Sequence, residues 1–315
     1  MEATAHPAPT LRYYLLDVFT EKPFSGNQLA VFVDPEPLSD GQMQRIAAEL
    51  HLSETVFVWS PPRAGDPWRA RIFTPGIELP FAGHPTVGAA FLLASLGHVT
   101  GVGDLIEFEL EEAVGTVPVA VALDQHGVPV RADLVVPRSS ERVDTADPAE
   151  LAAVVELDLS DLHPHLPVRG YSAGNPFSIV PVTDVAALAR AQVDSSRWER
   201  IVATSAAPHL YLVTPFPDTD RTSRTWRARM FAPAMGIAED PATGAAAAAF
   251  AGYLEEIGPV EGDRSDLIEQ GVEMGRPSMI NLTISKLDEG GRVVVRVGGP
   301  AVVIGNGVIA VPRSN

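Results

Sequence analysis

Three polar side chains in this sequence have types and settings suited to proton transfer: Glu54, His84 and Asp240. Glu54 stands in "LHLSETVFV", between a predicted helix and a predicted strand, with apolar residues on both sides. Apolar surroundings disfavour an ionised carboxylate, so the pKa of a carboxyl group in such a setting rises towards neutrality. A group of that kind can take a proton as a base and return it as an acid, which predicts a general acid/base role for Glu54.

His84 and Asp240 each precede a proline at the start of an apolar run, in "GHPTVGAAFLLASLG" and "EDPATGAAAAAFAGYLEEIG". Proline is tolerated in the first turn of a helix, so a helix is predicted to begin at each point. Helix N-termini favour anions, and the adjacent Gly83 and Gly244 allow a ligand to approach the backbone closely. If both helix starts face one cleft between two domains, they predict a binding site for a small carboxylate.

Each of these residues also has a purely structural explanation when it is taken alone. Asp240 is a plausible helix cap, His84 a plausible half-buried histidine with a hydrogen bond, and Glu54 a plausible solvated residue beside a strand. The functional interpretation is favoured because His84 and Asp240 stand at equivalent points of a repeat.

The repeat consists of two landmarks that occur in the same order in both halves of the chain. A Gly-Asn turn that leads into a strand begins at Gly26 and again at Gly174. An Arg-x-Phe-x-Pro segment, followed by the proline-containing helix start, begins at Arg71 and again at Arg229. Both landmarks together predict a duplicated domain.

The predicted first domain covers residues 11–125, and the second covers 126–301. The stretch "PRSSERVDTADPAE" from Pro137 resembles a linker. Strands are predicted at 11–19, 29–33, 55–59, 68–73, 105–110, 115–123, 130–136, 201–203, 210–214, 225–231, 279–285, 293–297 and 302–311, and helices at 39–50, 147–155 and 185–191, besides the two apolar helices.

The two apolar helices are hydrophobic on nearly all sides, so each must be surrounded by other elements. In a chain otherwise rich in strands, this predicts an α+β fold of two similar domains, each a β-barrel-like mixed sheet wrapped around a central helix. A helix held within an α/β layer is the alternative. The apolar runs are about 13 residues long, short of the roughly 20 that cross a bilayer.

Composition excludes several classes of function. The net charge is −17, which disfavours nucleic acids and anionic membranes as partners. The chain has no cysteine, which removes disulfides, thiolate zinc sites and cysteine acids or bases. His163 and His165 flank a proline in a predicted loop, an arrangement more typical of a surface than of a metal site. Neither a metal nor a cofactor is expected, and the first ten residues lack a signal-peptide pattern, which favours the cytoplasm.

Several long motifs resemble the PhzF family of phenazine-biosynthesis-like isomerases. They are "DVFTEKPFSGNQLAVF", "LSETVFV", "RIFTPGIELPFAGHPTVGAA", "RMFAPAMGIAEDPATGAA" and "QGVEMGRPSMI". The resemblance implies the diaminopimelate epimerase-like fold, an active site between two domains, a final strand at about 302–315 that returns to the first domain, and a homodimer.

The resemblance also implies roles for individual residues. Glu54 is similar to the family's acid/base residue, and His84 and Asp240 to its partners around the amine and carboxylate of the substrate. Contacts with the substrate are implied for Ser53, Gly83, Gly244 and Ala245. Ala245 stands where phenazine enzymes usually have a serine, so one hydroxyl contact is missing.

These observations predict a cofactor-independent isomerase that moves a proton on a small amino or cyclic hydroxy/amino acid, with Glu54 as the single acid/base group. The absence of cysteine excludes the two-cysteine mechanism of diaminopimelate epimerase and proline racemase. A non-catalytic carboxylate-binding protein, or a lyase or hydrolase, are the alternatives. Arg276, in "GRPS", is predicted either to bind a carboxylate or to tie strands together.

Overall fold

The computed structural model describes residues 9–216, 224–258, 262–286 and 293–313. The last residues of the predicted C-terminal strand, 314–315, lie outside these ranges. The strands are β1 (Thr10–Val18), β2 (Asn27–Val33), β3 (Glu54–Trp59), β4 (Trp68–Phe73), β5 (Glu78–Leu79), β6 (Leu105–Glu112), β7 (Gly115–Leu123), β8 (Pro129–Val135), β9 (Glu141–Val143), β10 (Arg169–Ser172), β11 (Pro176–Pro181), β12 (His209–Phe216), β13 (Arg224–Ala232), β14 (Ile237–Asp240), β15 (Arg264–Gln270), β16 (Ser278–Lys286), β17 (Val293–Gly299) and β18 (Ala301–Ala310).

The α-helices are α1 (Asp40–Leu50), α2 (Gly83–Ser95), α3 (Pro148–Val154), α4 (Val185–Arg190), α5 (Ser195–Ile201) and α6 (Gly244–Ile257). The chain forms two compact units. The first contains the chain up to Val18, Gln28–Ala132 and the chain from Ala301 onward, and the second contains Phe19–Asn27 and Asp133–Pro300. The short segment Phe19–Asn27, which ends at the first residue of β2, thus belongs to the second unit.

In the first unit, α2 is enclosed by strands. Every residue from Gly83 to Ala94 is buried, and the helix packs against β1, β3, β6, β7 and β18. Gly88 permits this depth, because a Cβ atom there would stand 2.5 Å from Cδ2 of Leu29 and 2.8 Å from Cγ2 of Val18. The apolar run is therefore the core of the unit.

Helix α1 packs on the outer side of the same unit. Ser39 caps it: its hydroxyl accepts from the backbone N–H of Gln42, and the Gln42 side chain accepts from the backbone N–H of Ser39. The buried residues of the helix pack against a cluster of phenylalanines from β2, β3 and β4; the cluster contains Leu11, Phe32, Met43, Ile46, Ala47, Phe57 and Phe73. One sheet of the first unit is thus covered by α2 on one side and by α1 on the other.

The second unit repeats this arrangement around α6, which packs against β9, β10, β11, β16 and β17. Phe250 of α6 contacts the rings of Tyr211 and Trp226 with centroids 6.0 and 5.0 Å apart. An outer cluster lies among α3, α4 and α5; among its members are Leu151, Val154, Leu188, Trp198, Leu210 and Leu212.

Two sequence-based predictions about local structure are wrong. Residues 201–203 are not a strand, because Ser195–Ile201 forms α5, whose start is capped by the Asp194 carboxylate accepting from Ser196 and Arg197 N–H. The stretch from Pro137 is not wholly a linker, since Glu141–Val143 forms β9 and pairs with β10. Among the described residues, no helix combines the length and apolarity needed to span a membrane.

Candidate functional site

Glu54 and His84 lie together in the first unit. Glu54 is the first residue of β3 and only 7% exposed, and His84 is the second residue of α2 and only 5% exposed. Glu54 Oε2 stands 3.4 Å from His84 Nε2. The sequence predicted both residues as site members, and the fold of this unit brings their side chains into contact range.

Burial controls the charge of His84. It lowers the pKa of the imidazole to about 3, and a hydrogen bond to the backbone of Gln28 acts in the opposite direction. The ring is therefore neutral near pH 7. A neutral imidazole carries one N–H and offers one acceptor nitrogen, so it does not take up a further proton near pH 7.

The start of α2 has no side-chain cap. Ala82 precedes the helix in extended conformation, and Gly83 is its first residue. First-turn N–H groups without a side-chain cap are suited to an anion. The two features that the sequence predicted here, a helix N-terminus and a flanking glycine, are both present, and Ser53 stands directly before Glu54 in the chain.

Sequence reasoning missed Glu112, a buried carboxyl group near the same turn. The Thr86 hydroxyl lies 2.7 Å from the Ala82 carbonyl oxygen and 2.6 Å from Glu112 Oε1. Burial raises the pKa of Glu112 to about 8, and the Thr86 contact lowers it less. One hydroxyl hydrogen cannot serve two acceptors, so a protonated Glu112 that donates to Thr86 satisfies both contacts. Its burial was readable from the alternation of β6, in which every second residue faces inward.

Asp240 lies in the second unit, at the end of β14. It is buried, and its carboxylate accepts from Asn27 Nδ2 at 3.0 Å and from the Thr243 hydroxyl at 2.5 Å. Burial raises the pKa of Asp240 to about 6, with both hydrogen bonds opposing the rise. A group with this pKa changes its protonation state close to neutrality.

Asp240 does not cap helix α6, so the purely structural explanation considered for this residue, a helix cap, is wrong. Helix α6 begins four residues later, at Gly244, and Thr243 precedes it without a side-chain cap bond. Ala245 is thus the second residue of α6. Gln270 holds the intervening turn through its Nε2, which donates to the Asp240 carbonyl at 2.8 Å and to the Thr243 hydroxyl at 3.0 Å.

Two other sequence candidates have structural partners. Arg276 Nε donates to the Gly26 carbonyl at 2.8 Å and Nη2 to the Ser25 carbonyl at 2.7 Å, so the guanidinium ties two chain segments together. His163 Nδ1 accepts from the backbone N–H groups of His165 and Leu166. In the part of the chain that the structure describes, no three His, Asp or Glu side chains are grouped to hold a metal ion.

Comparison with known proteins identifies the family. A family model described as phenazine biosynthesis-like protein, PhzC-PhzF, matches residues 16–307. An uncharacterized isomerase of Mesorhizobium japonicum is 38% identical over 95% of this chain and 98% of its own length. A trans-2,3-dihydro-3-hydroxyanthranilate isomerase of Pseudomonas chlororaphis is 37% identical over 94% of this chain and 98% of its own length.

Solved structures confirm the fold class. A phenazine biosynthesis protein of the PhzF family from Bacillus anthracis matches with a TM-score of 0.84 at 25% identity, over 96% of this chain and 99% of that one. A hydroxyproline epimerase from Agrobacterium vitis, 13% identical, matches with a TM-score of 0.62 over 96% and 92% of the two chains, which shows a shared fold only. The α+β, duplicated, epimerase-like fold predicted from the sequence is the fold of this chain.

Proposed function

Because the chain belongs to the PhzC-PhzF family of phenazine biosynthesis-like proteins, whose named relatives here are isomerases, we propose that it is a cofactor-independent isomerase with Glu54 as the general acid/base group. Its substrate is a small amino or cyclic hydroxy/amino acid. Glu54 removes a proton from one carbon and returns it to another, while the neutral His84 imidazole keeps the carboxyl group in position.

The observation that carries this proposal is the buried Glu54–His84 pair, with 3.4 Å between Oε2 and Nε2. A carboxylate shielded from water beside a neutral imidazole can change its protonation state without a second acid/base group, as a single-base isomerisation requires. A structural role alone gives no reason to place two titratable side chains together in a core, where each is unfavourable when charged.

Asp240 is proposed to hold the polar groups of the substrate and not to move its proton; with a pKa of about 6 its carboxyl group is mostly ionised at pH 7. The carboxylate of the substrate is proposed to bind backbone N–H groups at the starts of α2 and α6, which involve Gly83, Gly244 and Ala245. Ser53 is proposed as a further contact. The alternative is a protein that binds small carboxylates without catalysis.

Solvent deuterium incorporation, read by mass spectrometry, tests the proposal. The substrate set contains trans-2,3-dihydro-3-hydroxyanthranilate and a panel of small amino acids and cyclic hydroxy acids. Glu54→Gln should reduce exchange by about 10²–10⁴-fold, as expected for the loss of an acid/base group. Glu49→Gln is the matched control, because Glu49 is exposed on α1. Equal exchange in the wild type and Glu54→Gln contradicts the mechanism, and binding without exchange supports the carboxylate-binding alternative.

The carboxylate site has a separate test. Ala245→Ser restores the hydroxyl that phenazine enzymes usually have and should tighten carboxylate binding by about 0.5–1.5 kcal/mol, the contribution of one hydrogen bond. Isothermal titration with the exchanged substrate measures this change. Weaker binding by Ala245→Ser places the carboxylate elsewhere.

A further inference from the structure

The strand registers of the two units place His209 at the position that Glu54 occupies. Strands β2 and β3 run parallel with Leu29 opposite Glu54, and strands β11 and β12 run parallel with Phe177 opposite His209. Leu29 and Phe177 are equivalent, since each follows the asparagine of its Gly-Asn turn by two residues.

A second, independent register gives the same correspondence. Thr55, the residue after Glu54, pairs with Phe73, and Leu210, the residue after His209, pairs with Phe231. Phe73 and Phe231 are the phenylalanines of the two Arg-x-Phe-x-Pro segments. None of these strand pairs contains a register shift, so His209 and Glu54 are equivalent residues of the duplication.

His209 faces the central helix of its unit. Alternate side chains of a strand point to opposite faces of the sheet. Leu210 and Leu212 belong to the outer cluster, whereas Tyr211 contacts Phe250 of α6. His209 has the parity of Tyr211 and is therefore on the α6 side, as Glu54 is on the α2 side.

The His209 imidazole is buried with an unsatisfied nitrogen. It is 7% exposed, its ring contacts Phe177 at 5.5 Å between centroids, and Nδ1 has no hydrogen-bond partner among the described residues. Burial lowers the pKa of His209, which favours the neutral ring. Buried polar groups in native proteins are nearly always hydrogen-bonded, and a ligand would supply the partner that this nitrogen lacks among the described residues.

The two units carry the same pair of side-chain types in exchanged positions. In the first unit the strand position holds a carboxylate, Glu54, and the position before the proline holds an imidazole, His84. In the second unit the strand position holds His209 and the position before the proline holds Asp240. The exchange makes His209 the counterpart of Glu54 in the repeat, as Asp240 is the counterpart of His84.

We propose that His209 is a substrate-contacting residue, whose Nδ1 hydrogen-bonds an ammonium, amino or hydroxyl group of the substrate. This inference rests on the proposed function and specifies its substrate class, because a neutral imidazole nitrogen accepts from N–H and O–H groups. Acids that carry an amino or hydroxyl substituent should therefore be preferred to the same acids without one.

Substitutions at His209 test the proposal with the deuterium-exchange assay. His209→Phe keeps the ring shape without polar atoms and should raise KM about 3- to 10-fold, as expected for one lost hydrogen bond, and should reduce the preference for substituted acids. His209→Asn places an amide near the position of Nδ1 and should recover part of the loss. His126→Asn is the control, because His126 is exposed. Urea unfolding shows that each variant is folded.

Ring NMR signals supply a readout independent of turnover. The Glu54→Gln protein is titrated with the acid that the wild type exchanges, and the His209 ring signals should shift. These signals are assigned as those missing from the spectrum of the His209→Asn variant. Unchanged KM, substrate preference and ring signals overturn this inference alone if Glu54→Gln has lost exchange. If Glu54→Gln retains exchange, or if no acid in the set is exchanged, the proposed function fails and this inference fails with it.

Discussion

Asn27 joins the Gly-Asn turn of the first repeat directly to Asp240, 213 residues away in the chain. Its Nδ2 donates to Asp240 Oδ1 at 3.0 Å and to the Ala242 carbonyl at 2.9 Å, so one amide group satisfies two buried acceptors. The turn that begins the repeat thus also holds the carboxylate that precedes α6.

Asn27→Ala should lower the free energy of unfolding by about 1–3 kcal/mol, because it leaves buried acceptors without their donor. It should also raise the pKa of Asp240 further, since the Asn27 hydrogen bond lowers that pKa. Asn175→Ala is the matched control at the equivalent position of the repeat, where the side chain is exposed. Urea denaturation measures both variants, and equal losses would show that the Asn27 contacts contribute no stability.

Glu112 should make stability fall as the pH rises. Its pKa in the folded protein, about 8, is above the ordinary value of 4.5. Between these values the folded state binds the additional proton, so this group lowers the free energy of unfolding by up to about 1.4 kcal/mol per pH unit as the pH rises, with the full loss reached above pH 8.

Glu112→Gln should remove this contribution, and its stability relative to wild type should increase between pH 4.5 and 8. Denaturant unfolding at several pH values measures the difference. Glu111→Gln is the control, since Glu111 is exposed on the same strand. A constant difference between Glu112→Gln and wild type across this pH range would contradict the raised pKa.

Gly88 and Gly41 should respond in opposite directions to alanine. Both lie in helices, but a Cβ atom on Gly88 would stand 2.5 Å from Leu29 Cδ2, whereas a Cβ atom on Gly41 would meet no atom within 4 Å. Gly88→Ala should destabilise the protein by about 1–3 kcal/mol through overpacking. Gly41→Ala should stabilise it by up to about 1 kcal/mol through helix propensity. Thermal and urea unfolding measure both, and a stabilising Gly88→Ala would mean that α2 can move outward.

Arg229 and Arg71 should differ in their tolerance of lysine, although they are equivalent in the repeat. Both guanidinium groups bind a glutamate through Nε and Nη2, Glu239 and Glu78 respectively. Arg229 also donates from Nη1 to the carbonyls of Leu188 and Ala191 and is 7% exposed.

Arg229→Lys should therefore lower the free energy of unfolding by about 1.5–3 kcal/mol, because lysine cannot make this forked set of charged hydrogen bonds. Arg71→Lys should lower it by at most about 1 kcal/mol, since a partner of Arg71, Asp40, is exposed to solvent. Similar losses in the two variants would show that burial of the Arg229 fork has no energetic effect.

The sequence predicted the two central helices because apolarity on every side is a property of a single segment. It predicted the apolar surroundings of Glu54 in the same way, because the apolar residues on both sides of Glu54 are visible in one short segment. The helix α5 was missed because Ile201 and its apolar neighbours resemble a short strand, while the Asp194 cap outside them determines the structure. His209 could not be identified from the sequence, because its equivalence to Glu54 depends on strand pairings between distant segments.

The pairing of β1 with β18 has a consequence for folding during synthesis. The two strands are antiparallel, with Leu11 opposite Ile309, so β1 meets its partner from almost the full length of the chain. At about 5–20 residues per second, a ribosome produces that partner tens of seconds after β1 has emerged. Until then this β1 edge is a template for strands of other chains. Nascent chains that lack β18 should therefore need a chaperone that covers extended segments, and truncation before Ala301 should yield aggregates.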